Sequence, residues 1–136
     1  MSEANKRVAL AFLEALNAGD ATAAAAVLAP DARTVSKGYS KITGERNREQ
    51  MLAAIGMFRT LMPDGLGPEI HSVTAEGDRV VIEFDGKATL ANGAPYHNQY
   101  VMLFTLEGGK IRQLHEYFCT KLADEVFFPL VAASGF

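Results

Sequence analysis

Residues 96–106, YHNQYVMLFTL, and residues 111–120, IRQLHEYFCT, are two long runs of strand-forming residues on either side of Gly108-Gly109. Glycine pairs favour tight turns, so the two runs are predicted to form an antiparallel hairpin. Side chains alternate between the two faces of a sheet along each strand. Tyr100–Phe104 is apolar on both faces, which predicts a sheet that is covered on both sides.

Two further strands are predicted before this hairpin. Residues 69–76 and 79–90 flank the turn pair Gly77-Asp78. Asn92-Gly93, the strongest turn pair in the chain, then leads into the 96–106 strand. The second half of the chain is therefore predicted to be an antiparallel meander of four strands.

The first half of the chain has the spacing of helices. Apolar residues between positions 8 and 16 recur on one helical face, and Gly19 lies where a left-handed helix end is expected. Asp20 is placed to cap a second, alanine-rich helix that Pro30 ends. After an extended segment, a third helix is predicted from Glu45 to about Pro63. Three helices and a meander predict an α+β fold, in a single domain over residues 1–136.

Composition and charge exclude several classes of protein. The 136 residues are 49% hydrophobic with a formal net charge of −3 and no basic cluster, so we expect no nucleic-acid partner. No apolar run approaches the ~20 residues that span a bilayer, so no membrane association is expected. The N-terminus lacks the apolar block of a secretory signal, and one cysteine cannot form an internal disulfide, so we expect a cytoplasmic location. The apolar outer sheet face predicts a homodimer.

The order of these elements and several local patterns resemble the nuclear transport factor 2-like superfold, in its SnoaL-like, ketosteroid-isomerase-related (polyketide cyclase-like) branch. Residues 15–32, ALNAGDATAAAAVLAPDA, are similar to the opening helices and their turn. Residues 93–100, GAPYHNQY, and 115–120, HEYFCT, resemble the last strands. The resemblance implies a cone-shaped α+β barrel of the cystatin-like kind, in which three N-terminal helices pack on a curved antiparallel sheet and enclose a pocket.

The resemblance excludes one chemistry and suggests another. The tyrosine, the aspartate base and the second acid of ketosteroid isomerase correspond to Phe12, Ser36 and, approximately, Met102, so steroid isomerase chemistry of that design is not expected. In limonene-epoxide-hydrolase-like members the catalytic carboxylate corresponds to Glu116. The arginine expected near Glu83-Phe84-Asp85 is missing.

Glu116 is therefore the candidate general acid or base. The resemblance implies that it faces the apolar interior of the cone, where desolvation raises a carboxyl pKa. Glu83 and Asp85 are candidate second carboxylates if they also face inward; pairing or solvation at the surface is the alternative for all three. The predicted substrate-binding residues are Asn98, Tyr100, Met102, Leu114, Phe118, Phe12 and Phe58. Structural hydrogen bonding is the alternative for Asn98 and Tyr100, and core packing is the alternative for Phe58.

Two functions fit the sequence. One is a cofactor-free isomerase, cyclase, dehydratase or hydrolase that acts on a small hydrophobic molecule; the other is a non-catalytic module that binds such a ligand or dimerises. No phosphate-binding glycine loop is present and the three histidines lack ligand spacing, so no cofactor and no metal are expected. Cys119 is interpreted as a buried, unreactive thiol. Residues 122–136 are predicted to form one or two helical turns that close the pocket or reach a partner.

Overall fold

A computed structural model of the chain describes residues 2–134 as an α+β fold with five helices, a π-helical turn and six strands. The helices are α1 (Ser2–Ala18), α2 (Ala21–Val27), α3 (Arg48–Leu61), α4 (Thr120–Leu122) and α5 (Phe128–Ala133), and the π-helical turn (Ala123–Phe127) joins the last two. The strands are β1 (Leu28–Ser36), β2 (Gly44–Asn47), β3 (Glu69–Glu76), β4 (Arg79–Thr89), β5 (Pro95–Glu107) and β6 (Lys110–Phe118).

All six strands form one curved sheet in the order β2-β1-β6-β5-β4-β3. The predicted four-stranded meander is confirmed, because β3 to β6 pair in sequence as antiparallel neighbours. The sheet is nevertheless mixed rather than wholly antiparallel, because β1 pairs in parallel with β6. Strands β1 and β2 extend the meander at the β6 edge.

The predicted end of the second helix is wrong. Helix α2 begins after the capping residue Asp20, as expected, but it ends at Val27. Leu28 already belongs to β1, where it is buried and pairs with Ile111 of β6. Pro30 is exposed within β1, at a shift in the strand register, where its missing N–H removes no regular ladder hydrogen bond.

The predicted start of the third helix is also wrong. Glu45 lies in β2, opposite Val35 of β1. Helix α3 begins at Arg48 because the Asn47 side chain accepts a hydrogen bond from the backbone N–H of Gln50, while the Gln50 side chain accepts one from the Asn47 N–H. This reciprocal capping box satisfies two backbone donors that a helix start leaves free.

The core lies between the concave sheet face and helices α1 and α3. Residues of β4 alternate strictly, so that Val80, Ile82 and Phe84 are fully buried and their neighbours face outward. Phe12 of α1 meets Phe104 of β5 edge to face, with ring centroids 5.9 Å apart. Burying each such side chain contributes about 1.5–3 kcal/mol, which holds the helices against the sheet. Within residues 2–134, no helix has the length and apolar character needed to cross a membrane.

The C-terminal helical segment lies against the open end of the cone. It begins at Thr120 and runs to Ala133, so it is longer than the one or two turns expected; residues 135 and 136 lie outside the described residues. Phe127 stacks on Tyr96 of β5 at 5.1 Å between centroids. The Asp124 carboxylate accepts a 2.8 Å hydrogen bond from the backbone N–H of Lys41, in the loop between β1 and β2.

Candidate functional site

A cavity of about 400 Å³ lies between the concave sheet face, helices α1 and α3 and the C-terminal segment. This volume is within the range of small-molecule sites, which are mostly apolar with a few placed polar groups. The apolar wall consists of Phe12, Leu16, Ile42, Met51, Ala54, Ile55, Met57, Phe58, Leu61, Met62, Leu66, Met102, Leu114, Phe118, Phe127, Phe128 and Val131.

One polar part of the wall is a chain of three side chains at the β2-β1-β6 end of the sheet. Parallel pairing of β1 and β6 places Ser36 beside Glu116, and the Ser36 hydroxyl donates a 3.2 Å hydrogen bond to Oε2 of Glu116. Arg46 of β2 reaches the same hydroxyl with Nη1 at 3.4 Å, and its Nη2 donates to the Ile42 carbonyl at 3.0 Å. Ser36 thus connects a carboxyl group to a guanidinium group.

Burial controls the ionisation of Glu116. Removal from bulk water raises the pKa of this carboxyl group above its ordinary value of 4.5, whereas the Ser36 hydrogen bond and the positive charge of Arg46 act to lower the pKa. Glu116 keeps some accessible surface because it faces the cavity rather than other protein atoms. The raised pKa favours the protonated form, which can donate a proton or a hydrogen bond into the cavity.

Two tyrosines of β5 add to the polar lining. Tyr100 lies flat against Phe84 with ring centroids 4.9 Å apart, and Tyr96 is buried beneath Phe127. Burial raises the pKa of both hydroxyls, and that of Tyr100 lies well above its ordinary value because the Tyr96 hydroxyl and the Glu116 carboxylate add to the effect. Both side chains therefore stay protonated near neutral pH.

One cation lies at the cavity mouth. Lys41, in the loop between β1 and β2, lines the cavity, and its side chain lies over the Phe128 ring with Nζ 5.4 Å from the centroid. The contact is a cation–π interaction between the loop and helix α5. Together with the Asp124 hydrogen bond to the Lys41 backbone, it ties the loop to the C-terminal segment at the mouth.

Asn98 faces inward as expected, but it does not line the cavity. Its side-chain amide donates to the Tyr96 hydroxyl at 3.0 Å and to the Cys119 carbonyl at 3.1 Å, and its side-chain oxygen accepts from the Cys119 N–H at 3.1 Å. The expected substrate contact is replaced by a structural role, because these bonds fasten the end of β6 to β5. Cys119 itself is exposed, contrary to the expected buried thiol, since it follows the last residue of β6.

Glu83 and Asp85 lie on the opposite face of the sheet from the cavity. They alternate along β4 with Ile82 and Phe84, which occupy the inner face. Glu83 interacts with Ser72 at 3.4 Å, and Asp85 pairs with His71 at 3.2 Å. Neither can supply the second carboxylate of this cavity. Among residues 2–134, no group of three or more histidine, cysteine or acidic side chains is arranged to hold a metal ion.

The structure brings together the other predicted site residues. Glu116 lies on the cavity wall with Tyr100, Met102, Leu114, Phe118, Phe12 and Phe58. Their roles as catalytic or substrate-contacting groups stay predictions. Phe12, Ser36 and Met102, which the resemblance places at or near the positions of the ketosteroid isomerase catalytic groups, all line the cavity, and none carries an ionisable side chain.

Sequence reasoning missed Arg46 and Lys41. Residues 44–47, GERN, have no apolar alternation, and the sequence predicts a helix from Glu45, which gives no sign that Arg46 lies on a strand. In β2 its backbone pairs with Thr34, an inward-facing residue of β1, which directs Arg46 to the concave side. Lys41 lies in a loop without any periodic pattern, so no sequence signal could place it at the mouth.

The chain is similar to known proteins over most of its length. The sequence profile of the SnoaL-like domain matches residues 9–114. No curated protein sequence matches the chain. Among solved structures, Bal32a from a soil-derived mobile gene cassette has a TM-score of 0.79 at 21% identity, covering 91% of this chain and 96% of that one.

Two further solved structures have the same fold at low identity. TerC, co-crystallised with polyporic acid, has a TM-score of 0.76 at 20% identity, and the match covers 90% of this chain and 97% of the TerC chain. An NTF2-like protein from Burkholderia xenovorans LB400 has a TM-score of 0.72 at 19% identity, with coverages of 90% and 94%. At these identities the likeness establishes the cone-shaped fold and leaves activity to be argued from the site.

Proposed function

This chain belongs to the SnoaL-like domain family, and we propose that it is a cofactor-free enzyme that uses Glu116 as an acid or base on a small hydrophobic molecule. The reaction type is an isomerisation, cyclisation, dehydration or hydrolysis. The observation that supports it is the position of Glu116, the one carboxyl group among the described lining residues of a largely apolar cavity. A carboxyl group whose pKa is raised by burial keeps its proton to a higher pH than an exposed one, which suits it to proton donation.

Each polar group has a place in such a reaction. The protonated Glu116 donates to a carbonyl, epoxide or leaving hydroxyl oxygen, and the carboxylate that results can take a proton back from carbon or oxygen. The Ser36 hydroxyl holds the carboxyl group in place at 3.2 Å. Tyr100 remains protonated and offers a second hydrogen-bond donor on the neighbouring strand.

The alternative is a module that binds a hydrophobic ligand without chemistry. Its support is the outward position of Glu83 and Asp85, which leaves Glu116 without a second cavity carboxylate to divide acid and base roles. The structural relative TerC was co-crystallised with polyporic acid, which is consistent with either function. An enzyme converts a bound molecule into a product, whereas a binding module releases it unchanged.

The test compares two glutamate variants on a panel of aryl epoxides, β-hydroxy ketones and enones, with products detected by mass spectrometry. Glu116→Gln is expected to abolish turnover while its melting temperature stays close to that of the wild type. Glu83→Gln, a matched change on the outer sheet face, is expected to leave turnover unchanged. Turnover that survives Glu116→Gln contradicts the proposal. Compounds that raise the melting temperature but are all recovered unchanged would support the binding module.

A further inference from the structure

Among residues 2–134, the two cations of the cavity wall form no ion pair with an acidic side chain. Arg46 and Lys41 both line the cavity, and neither takes part in an ion pair within residues 2–134. Glu116 is the one acidic lining residue of the described chain, so the wall has a formal charge of +1 when Glu116 is ionised and +2 when it is protonated. The chain as a whole carries −3. The cavity wall therefore carries a net positive charge, although the protein as a whole is negatively charged.

Arg46 is the cation that lies deeper. It is half-buried, and it donates to the Ile42 carbonyl and, at the long distance of 3.4 Å, to the Ser36 hydroxyl. A guanidinium group has five N–H donors, so part of its capacity is left for another acceptor. Both of its present acceptors are uncharged. An anionic acceptor would form shorter and stronger, charge-assisted hydrogen bonds.

Lys41 adds a second positive charge at the entrance. Its ammonium group is held over the Phe128 ring and is otherwise exposed. Clefts lined by one sign of charge raise the local concentration of ligands of the opposite sign. Lys41 therefore attracts an anion toward the mouth, and Arg46 is placed to hold it inside.

We infer that the cavity selects small hydrophobic molecules that carry an anionic oxygen group, a carboxylate or an ionised enol or phenol, with that group bound by Arg46. This inference rests on the proposed function in one respect, that the cavity binds a small hydrophobic molecule. The apolar wall formed by α1, α3 and β5 receives the body of the ligand. Because Ser36 connects Arg46 to Glu116, the anionic group lies beside the proposed acid, whose protonated form can donate to it.

The test uses a matched pair of probes, 2-naphthoate and its uncharged amide 2-naphthamide, titrated into the full chain at neutral pH and followed by naphthalene fluorescence. Wild-type protein is expected to bind the carboxylate about tenfold or more tightly than the amide, the size expected for a hydrogen bond to a charged group. Arg46→Gln is expected to reduce the preference to about twofold or less. Arg46→Lys keeps the positive charge but loses the planar set of donors, so an intermediate preference is expected.

Arg33→Gln is the matched control. Arg33 lies on the adjacent strand β1, but its guanidinium pairs with Glu45 at 3.0 Å, away from the cavity wall. This variant is expected to keep the full preference, and thermal melting of all variants checks that the fold is intact. Loss of preference in Arg33→Gln to the same extent as in Arg46→Gln would overturn the assignment to Arg46.

The remaining outcomes separate this inference from the proposed function. Equal binding of carboxylate and amide by the wild type overturns the anion selectivity and leaves the hydrophobic cavity as a ligand site. Absence of binding for both probes overturns the selectivity and the proposed small-molecule site together.

Discussion

Ser36 and Glu116 are directly paired residues of two parallel strands, and the Ser36 hydroxyl donates a 3.2 Å hydrogen bond to the Glu116 carboxylate. A donor to the ionised form lowers a carboxyl pKa, so Ser36 opposes the larger effect of burial. We expect Ser36→Ala to raise the pKa of Glu116 further. Carbon-13 NMR titration of the glutamate side-chain carboxyl groups measures this change.

The control for this titration is Ser72→Ala. Ser72 makes a similar but exposed contact with Glu83 at 3.4 Å on the outer face. We expect the Ser72 change to leave the Glu116 titration where it is in the wild type. An unchanged Glu116 pKa in Ser36→Ala would show that the hydroxyl does not stabilise the carboxylate.

The raised pKa of Glu116 makes stability depend on pH in a defined direction. A carboxyl group that binds its proton more tightly in the folded state stabilises the fold below the unfolded pKa, and this contribution is lost as pH rises through the folded pKa. Glu116→Gln removes the titration. The melting temperature of Glu116→Gln, relative to wild type, should therefore be higher at pH 8 than at pH 4. A constant difference between the two proteins across this range would contradict the shift.

We expect Asn98 to contribute to the stability of the fold. It is 1% exposed and bonds both Tyr96 and Cys119, so Asn98→Ala leaves buried polar groups unpaired. Such a loss costs about 1–3 kcal/mol for each unsatisfied group. Urea unfolding should show a decrease in the free energy of unfolding of about 2 kcal/mol or more. Asn92→Ala, in the exposed β4–β5 turn, is the comparison and should reduce the free energy of unfolding by less. Equal losses in the two variants would show that the buried hydrogen bonds of Asn98 add no particular stability.

Phe127 anchors the C-terminal segment. It is 6% exposed, stacks on Tyr96 and lies 6.0 Å from the Phe58 ring. Phe127→Ala should cost about 3–5 kcal/mol, the range for a buried phenylalanine. Hydrogen exchange should then show lost protection in residues 120–133. Phe128→Ala removes a less buried ring over Lys41 and should cost less, so the reverse order would contradict the anchoring role of Phe127.

The outer sheet face is expected to pair with a second copy of the chain, as the sequence predicts. Val101 and Tyr117 are cross-strand partners there, and they are 36% and 43% exposed. Sedimentation at micromolar concentration should give a dimer, and Tyr117→Glu should give a monomer, because burying an unpaired charge is unfavourable. Glu76→Gln, at the exposed end of β3, is the control. A monomeric wild type would exclude this interface.

Much of the fold could be predicted because its signals are local. The alternation along β4 and β5, the turn pair Asn92-Gly93 and the capping residue Asp20 each specify structure through their own neighbours. The prediction was wrong where tertiary pairing decides. Residues 44–47 become a strand only because β1 lies beside them, and Pro30 is accommodated in β1 by a register shift opposite β6.

The site was predictable to the level of which face each residue occupies. Alternation on β5 predicts that Asn98 and Tyr100 share a face, and the resemblance implies that this face points inward. Neither distinguishes a residue that lines the cavity from one whose side chain is bonded to Cys119. The inward direction of Glu116 followed from the resemblance. Its link to Arg46 depends on contacts between three strands, which no local pattern encodes.

The parallel pairing of β1 with β6 also joins two residues that lie far apart in the chain. Ser36 and Glu116 are 80 residues apart in the chain, so β6 is synthesised well after β1. Closing so long a loop is entropically costly, and contacts of this range slow folding. During translation, α1 and β1 leave the ribosome before β6, the parallel partner of β1, has been synthesised. Strands β3 to β5 lie between β1 and β6 in the chain, so they are synthesised before the Ser36–Glu116 contact can form.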